Sequence, residues 1–298
     1  MGYNAPKIDR QACGYHGGIS YVCDLLQAFK YRYRPSIPVS LAWILTQSTL
    51  ACVVNGGARN GVACFSVSGD SGLNPLGGLR RLKDFQAQTP PSGPPDTVSQ
   101  ITFNPSSTAV FVVVKGNPGP PAVAGSIYAF AVDSYGHVSD SPVISSPPKI
   151  VLELSINFLG TDASALITDA TFGASIVTIT PELKISESHH IVIPFQGADC
   201  WAAYAPRYDA VYVIDTVNPN ITVLEPATGN LKGTIQYEID AKGGLDTTFD
   251  RQWLYVLTGD SSVVVINLEG TGGTEVQHFS LTSEGQPGHW QGMAVYPA

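Results

Sequence analysis

"GLDTTFDRQWLYVLTGDSSVVVINLEG", residues 244–270, followed by "TEVQHFSL" at 274–281, reads as four short strands in succession. Each run is rich in Val, Ile, Leu, Thr or aromatic residues, and each break carries Gly, Asp or Asn. Such runs fold as antiparallel strands joined by tight turns. The same order of elements recurs upstream, in 198–239, in 151–180 with 183–195, and in 99–116 with 125–147. "VSLAWILTQSTLACVVNGGARNGVACFSVSGDSGLNPLGGLRRL" at 39–82 fits the same mould. A unit of roughly 45–60 residues with four strands apiece is a β-propeller blade. A β-sandwich also has many short strands, but it does not repeat one order of elements five times.

The fold class is therefore all-β, with about five full blades and a closing strand at the C-terminal end. Gln291–Tyr296, in "GHWQGMAVYPA" at 288–298, is read as that strand, filling the innermost slot of a further unit. A free β-edge invites aggregation, so the segment is expected to serve as a seam. Residues 1–38 form an atypical N-terminal segment, and 39–298 the propeller domain. Within the former, Val22, Leu25, Leu26 and Phe29 in 19–33 are spaced for one apolar helix face. Five blades either close or leave a crescent, whose open edge would favour self-association.

Composition excludes several classes. Of 298 residues only 13% are charged, with 30 Gly and 22 Pro, which suits strands and turns over helices. A net charge of −8 argues against nucleic acid, whose binding needs clustered Lys and Arg. The apolar stretch at 39–54 is broken by Thr46, Gln47, Ser48 and Thr49, so no membrane span is read. No secretory leader is read after Met1, and the compartment stays open. The five cysteines, Cys13, Cys23, Cys52, Cys64 and Cys200, show no CxxC spacing for a structural zinc. Cys52 and Cys64 flank a hairpin; with its turn centred on Ala58 they fall opposite each other, and a disulfide is geometrically feasible. In a reducing compartment they would stay thiols and simply pack. Asn220-Ile221-Thr222 is a glycosylation sequon, expected in a surface turn.

Several strings carry a family resemblance: "CVVNGGARNGVACFSV" (52–67), "TPPSGPPDTVSQITFN" (89–104), "SDSPVISSP" (139–147), "TDATFGAS" (168–175) and "HWQGMAVYP" (289–297). Over 39–298 the chain resembles fungal 3-carboxymuconate cyclase-type proteins of the lactonase-fold, seven-bladed propeller superfamily. The resemblance implies members about two blades longer at the N-terminus and often secreted, so a truncated relative is expected here. It implies an intramolecular lyase reaction, closing a lactone by adding a carboxylate across a conjugated double bond, or the reverse, with no cofactor. Such a site needs cationic donors for carboxylates and a group that moves a proton. The resemblance implies His, Arg and Glu at the channel mouth; "SQITFN" (99–104) and "ADCWAAY" (198–204) depart from that pattern.

In a propeller one face of the channel is built by loops joining the second and third strands and by loops leading into the innermost strand. The former are 55–61, 115–125, 169–174, 215–220 and 259–261. Arg59 and Lys115 are candidates to clamp substrate carboxylates; their plain alternative is a solvated loop cation. Asp169 and Asp215, equivalent in successive blades, are candidate proton carriers or metal ligands, or else caps of their own turns. The leading loops add Gln100, Trp201, Asp246, His289 and Gln291. His289 is the natural acid–base residue, and Trp201 either stacks on a planar substrate or packs between blades. The proline-rich 86–97 reads as an extended crossing over this face.

Three functions compete. The first is a cyclase- or lactonase-like enzyme acting on a small carboxylate or lactone. The second is a non-catalytic secreted or cell-surface propeller, a scaffold or antigen. The third is a calcium-dependent lactonase with Asp169 and Asp215 converging on the ion.

Overall fold

A strand buried on both faces reads as an unbroken apolar run. "LACVVN", "AVFVVV" and "AVYVID" are such runs, and every residue in them is buried. They are the second strands of three sheets in a computed structural model that describes residues 38–43, 50–85, 93–238, 241–270, 272–284 and 292–295.

Five four-stranded antiparallel sheets follow one another along the chain, each a meander in sequence order. Blade 1 is β1 (Pro38–Trp43), β2 (Leu50–Asn55), β3 (Gly61–Ser68) and β4 (Gly72–Pro75). Blade 2 is β5 (Val98–Phe103), β6 (Ala109–Val114), β7 (Ser126–Ala131) and β8 (Val143–Ser145). Blade 3 is β9 (Glu153–Phe158), β10 (Ser164–Asp169), β11 (Gly173–Ile179) and β12 (Ile185–Val192). Blade 4 is β13 (Asp199–Ala205), β14 (Ala210–Asp215), β15 (Asn220–Leu224) and β16 (Leu231–Gln236). Blade 5 is β17 (Gly244–Asp250), β18 (Trp253–Thr258), β19 (Ser262–Asn267) and β20 (Thr274–Ser280). Consecutive blades meet through their innermost strands, β1 on β5, β5 on β9, β9 on β13 and β13 on β17. The molecule is a five-bladed β-propeller, as the repeat predicts.

The core is divided among the blade boundaries. Phe103, Val112 and Phe130 of blade 2 pack on Val54 and Val62 of blade 1. Phe111 and Ile127 of blade 2 face Ile156, Ile167 and Val177 of blade 3. Leu166 and Ala174 of blade 3 meet Val211 and Val213 of blade 4, whose other side sets Tyr212 and Ile214 against Leu254 and Val256 of blade 5. Outer strands need no second apolar face, and β12 and β20 are mostly exposed, with a few half-buried positions and Ile185 buried at the start of β12.

Two local devices shape the channel mouth. Gly61 and Gly173 open the third strands of blades 1 and 3 with φ of +148° and +135°. A Cβ at Gly173 would stand 2.7 Å from the Ile191 carbonyl oxygen, so only glycine fits this turn. Secondly, every innermost strand carries a register shift beside its start, between Pro38 and Ser40, Val98 and Ile101, Glu153 and Ile156, Asp199 and Trp201, and Gly244 and Asp246. Bulges re-aim side chains and break the ladder locally.

The C-terminal expectation is corrected in one respect. Residues 292–295 are not a strand. The Met293 N–H donates to Asp246 Oδ2 at 2.7 Å, so it is spent on a side chain of β17 and not on a ladder. The segment still lies against the innermost strand of blade 5. The helix expected over 19–33, Cys13, Cys23, His289, Gln291 and most of the proline-rich 86–97 fall outside the described residues.

Candidate functional site

The second strands of blades 3 and 4 end on Asp169 and Asp215, both fully buried. Asp169 Oδ2 accepts from the N–H groups of Val151 (2.6 Å) and Leu152 (2.9 Å), which lead into β9. Its Oδ1 accepts from the Thr171 N–H and hydroxyl. Asp215 repeats the pattern: Oδ2 takes Gly197 N–H and the Asn218 amide, and Oδ1 takes Ala198, Val217 and Asn218 N–H. Burial pushes the Asp215 carboxyl upward, but the bonds from Gly197, Asn218 and Val217 outweigh it and hold it below the usual range. Each aspartate thus ties a leading loop to the turn beside it. Calcium would have to displace these donors.

The residues paired with those aspartates behave differently. Glu153 opens β9 opposite Asp169, and Asp199 opens β13 opposite Asp215. Each is 1% exposed. Among the described residues, neither oxygen of Asp199 has a hydrogen-bond partner, nor has Glu153 Oε2. Burial, then the Asp215 charge, pushes Asp199 up to about 7. Burial holds Glu153 well above the carboxylate range despite donation from the Gly116 N–H and the nearby Lys115 charge. Glu153 reaches from blade 3 onto blade 2: a Cβ on Gly125 would overlap its Oε1. Unpaired buried carboxylates cost several kcal/mol each if ionised, and groups so perturbed gather at functional sites.

Lys115, one residue past β6, completes the group from blade 2. Burial lowers its pKa, and the neighbouring Cys200 and Glu153 raise it in part. Cys200 is the bulge residue of β13, buried and free. Burial pushes its thiol up to about 11. Its carbonyl accepts from Thr168 Oγ1 at 2.6 Å, and Thr168 in turn bonds Ser155 Oγ at 2.9 Å, which locks blade 3 to blade 4 beneath the mouth. The arrangement can hold an anion on a cation and exchange protons through two carboxyl groups that burial raises, Asp199 to about 7.

Of the other candidates, Arg59 is exposed, and its carbonyl accepts from the Asn55 amide at 2.6 Å. Gln100 lies lower in the channel, its Oε1 accepting from Ile156 N–H at 2.7 Å. Trp201 is half-buried and packs on the core between blades 4 and 5. Asp246 accepts from Met293 and Thr247, and burial pushes it up to about 6. Asn220 is half-buried as the first residue of β15 and not in the turn itself. Cys52 and Cys64 are directly paired across β2 and β3 and bonded, with Cα atoms 4.1 Å apart. Among the described residues, one group of three metal-donor side chains lies together: Glu238, Glu275 and His278, at the outer boundary of blades 4 and 5. His278 Nδ1 already stands 2.7 Å from Glu238 Oε2 there.

Known structures agree on the fold. A putative 6-phosphogluconolactonase from Bacteroides fragilis superposes with a TM-score of 0.60 at 16% identity, covering 81% of this chain and 70% of that one. A protein from Lactobacillus plantarum gives 0.61 at 13%, covering 82% and 71%. A chain of a nidogen–laminin complex gives 0.57 at 12%, covering 84% and 82%. No protein-family model matches the chain, and no curated protein matches it.

Proposed function

We propose that the mouth formed by Lys115, Glu153 and Asp199 acts on a small carboxylate or lactone, a lactonase-like activity whose finer form is cyclisation of the carboxymuconate type or its reverse. One observation carries the reading: two fully buried carboxyl groups, Glu153 and Asp199, leave three oxygens without hydrogen-bond partners among the described residues, and blade 2 sets the Lys115 charge beside Glu153. A putative 6-phosphogluconolactonase among the structural neighbours supports the coarse class.

The roles follow from protonation. Lys115 holds a substrate carboxylate by a charge-assisted hydrogen bond. In lactonisation, the attacking carboxylate oxygen forms the C–O bond and electron density moves onto the adjacent carbon. Glu153, its carboxyl held by burial well above the ordinary range, delivers the proton that this carbon needs and is reprotonated from water. In hydrolysis, Asp199 takes a proton from the attacking water, and Glu153 gives one to the departing alkoxide. No cofactor enters either scheme. NMR of the chain with unsaturated tricarboxylates and with five- and six-membered lactones tests the reading. Turnover should fall at least about 100-fold in Glu153→Gln and Asp199→Asn, while Lys115→Ala chiefly raises KM. Turnover unchanged in all three would remove this mouth from the chemistry.

A second reading, a binding scaffold, draws on exposed apolar side chains on the mouth face. Phe195 is 98% exposed and Val217 62%. A neighbouring structure is a complex of nidogen with laminin. Absence of turnover across the panel, with both carboxyl groups confirmed buried, would favour it.

A further inference from the structure

We propose that the lower half of the channel is a second binding site, separate from the mouth, for an uncharged polyhydroxylated small molecule, a neutral sugar. Residues of β5, β9, β13 and β17, with Pro105 from the turn after β5, line an open cavity of about 340 Å³. That volume lies in the range of small-molecule sites, about 300–1,000 Å³.

The chemistry of its wall contrasts with the mouth. No Asp, Glu, Lys, Arg or His lines it among the described residues. A charged ligand would lose its hydration here with nothing of opposite sign to replace it. The wall offers amides, hydroxyls and aromatic rings. Gln100 Oε1 is held by Ile156 N–H at 2.7 Å, which fixes the amide and leaves its Nε2 group to donate. Asn157 Nδ2 is spent on Ser155 Oγ at 3.0 Å, which leaves its carbonyl oxygen to accept. Thr248 and Tyr204 line the same space, with Phe158 and Phe249. Phe158 is itself held edge-on by Phe111 at 5.1 Å.

Positioned amides and hydroxyls beside apolar rings match a sugar, whose hydroxyls both donate and accept while its C–H faces are apolar. On β13 the nearest wall residue, Ala202, is three residues past Asp199, and on β9 Ile156 is three past Glu153, so the two sites stand about 10 Å apart along the strands. The site does not depend on the chemistry proposed for the mouth.

Calorimetry with neutral mono- and disaccharides, glucuronate and glucosamine tests it on the full chain, alongside Asn157→Leu, Thr248→Val and Lys115→Ala. A neutral sugar should bind saturably, and both charged sugars at least about tenfold more weakly. Asn157→Leu and Thr248→Val should each weaken the neutral sugar about tenfold, since a lost hydrogen bond worth about 1.4 kcal/mol is tenfold in affinity. Lys115→Ala should leave this affinity unchanged. Absence of binding by every neutral sugar, preference for a charged one, or equal affinity in a folded Asn157→Leu or Thr248→Val variant would each overturn the proposal. So would loss of binding in Lys115→Ala alone.

Discussion

Replacing Asp199 by Asn should stabilise the protein, and by an amount that grows with pH. In the native state burial and Asp215 push this carboxyl up to about 7, against its ordinary value of 3.8. At pH below the unfolded value both states carry the proton, and Asp199 contributes no difference. As pH rises from there, the unfolded chain releases its proton while the native state keeps it, so the native state loses stability. The loss levels off above the native value. At about 1.36 kcal/mol per pK unit, the plateau is about 4 kcal/mol. Asn carries no such proton, so the variant lacks this dependence. Urea denaturation of both proteins should show the variant's advantage growing by about 3 kcal/mol from pH 5 to pH 8. The Asn side chain also removes activity under the proposed mechanism, a stability–function trade expected where strain is kept for chemistry. An advantage equal at the two pH values would refute the reasoning, because it would mean that the native carboxyl titrates as it does in the unfolded chain.

Other outcomes follow from neighbouring features. Asp215→Ala strips partners from Gly197, Ala198, Val217 and Asn218; it should cost at least about 3 kcal/mol, read by the same denaturation, and a cost under about 1 kcal/mol would contradict the loop-tying role. Gly173→Ala must hold φ near +135° and meet the Ile191 carbonyl; a loss of about 2 kcal/mol or more is expected, and an unchanged midpoint would contradict the tight turn. Cys52 and Cys64 are 12 residues apart; opening their bond with dithiothreitol should lower stability by about 3 kcal/mol on chain-entropy grounds, against no shift if the bridge does not form.

Much of the architecture is legible because its signals are periodic. "AVFVVV" and "AVYVID" are buried on both faces and so are apolar at nearly every position, which marks them as inner blade strands. The hairpin between Cys52 and Cys64 is legible for the same reason: its turn residues fix the register about Ala58. The site is harder. Asp169 and Asp215 draw attention as polar residues at strand ends, yet their oxygens are consumed by backbone N–H groups of the leading loops. Glu153 and Asp199 stand opposite them and look like ordinary strand-opening residues. What distinguishes them is burial with too few donors, none on either Asp199 oxygen or on Glu153 Oε2 among the described residues, a property of bulged strands and packed blades that spacing does not encode. A readable signal existed, since both acids occupy the same place in successive repeats. Gly125, against which Glu153 packs, gives no hint in sequence of what approaches it. Residues 292–295 depart from the strand that Val295 favours because the Asp246 carboxylate captures the Met293 N–H.

The most direct test of the account is a carboxyl-carbon NMR titration of the Asp- and Glu-labelled protein, with Asp199→Asn and Glu153→Gln assigning the two resonances. The account predicts that Asp199 titrates near 7 and Glu153 well above the usual carboxylate range, and that a small dicarboxylate shifts both. Two ordinary titrations below about 5, unmoved by any dicarboxylate, would contradict it.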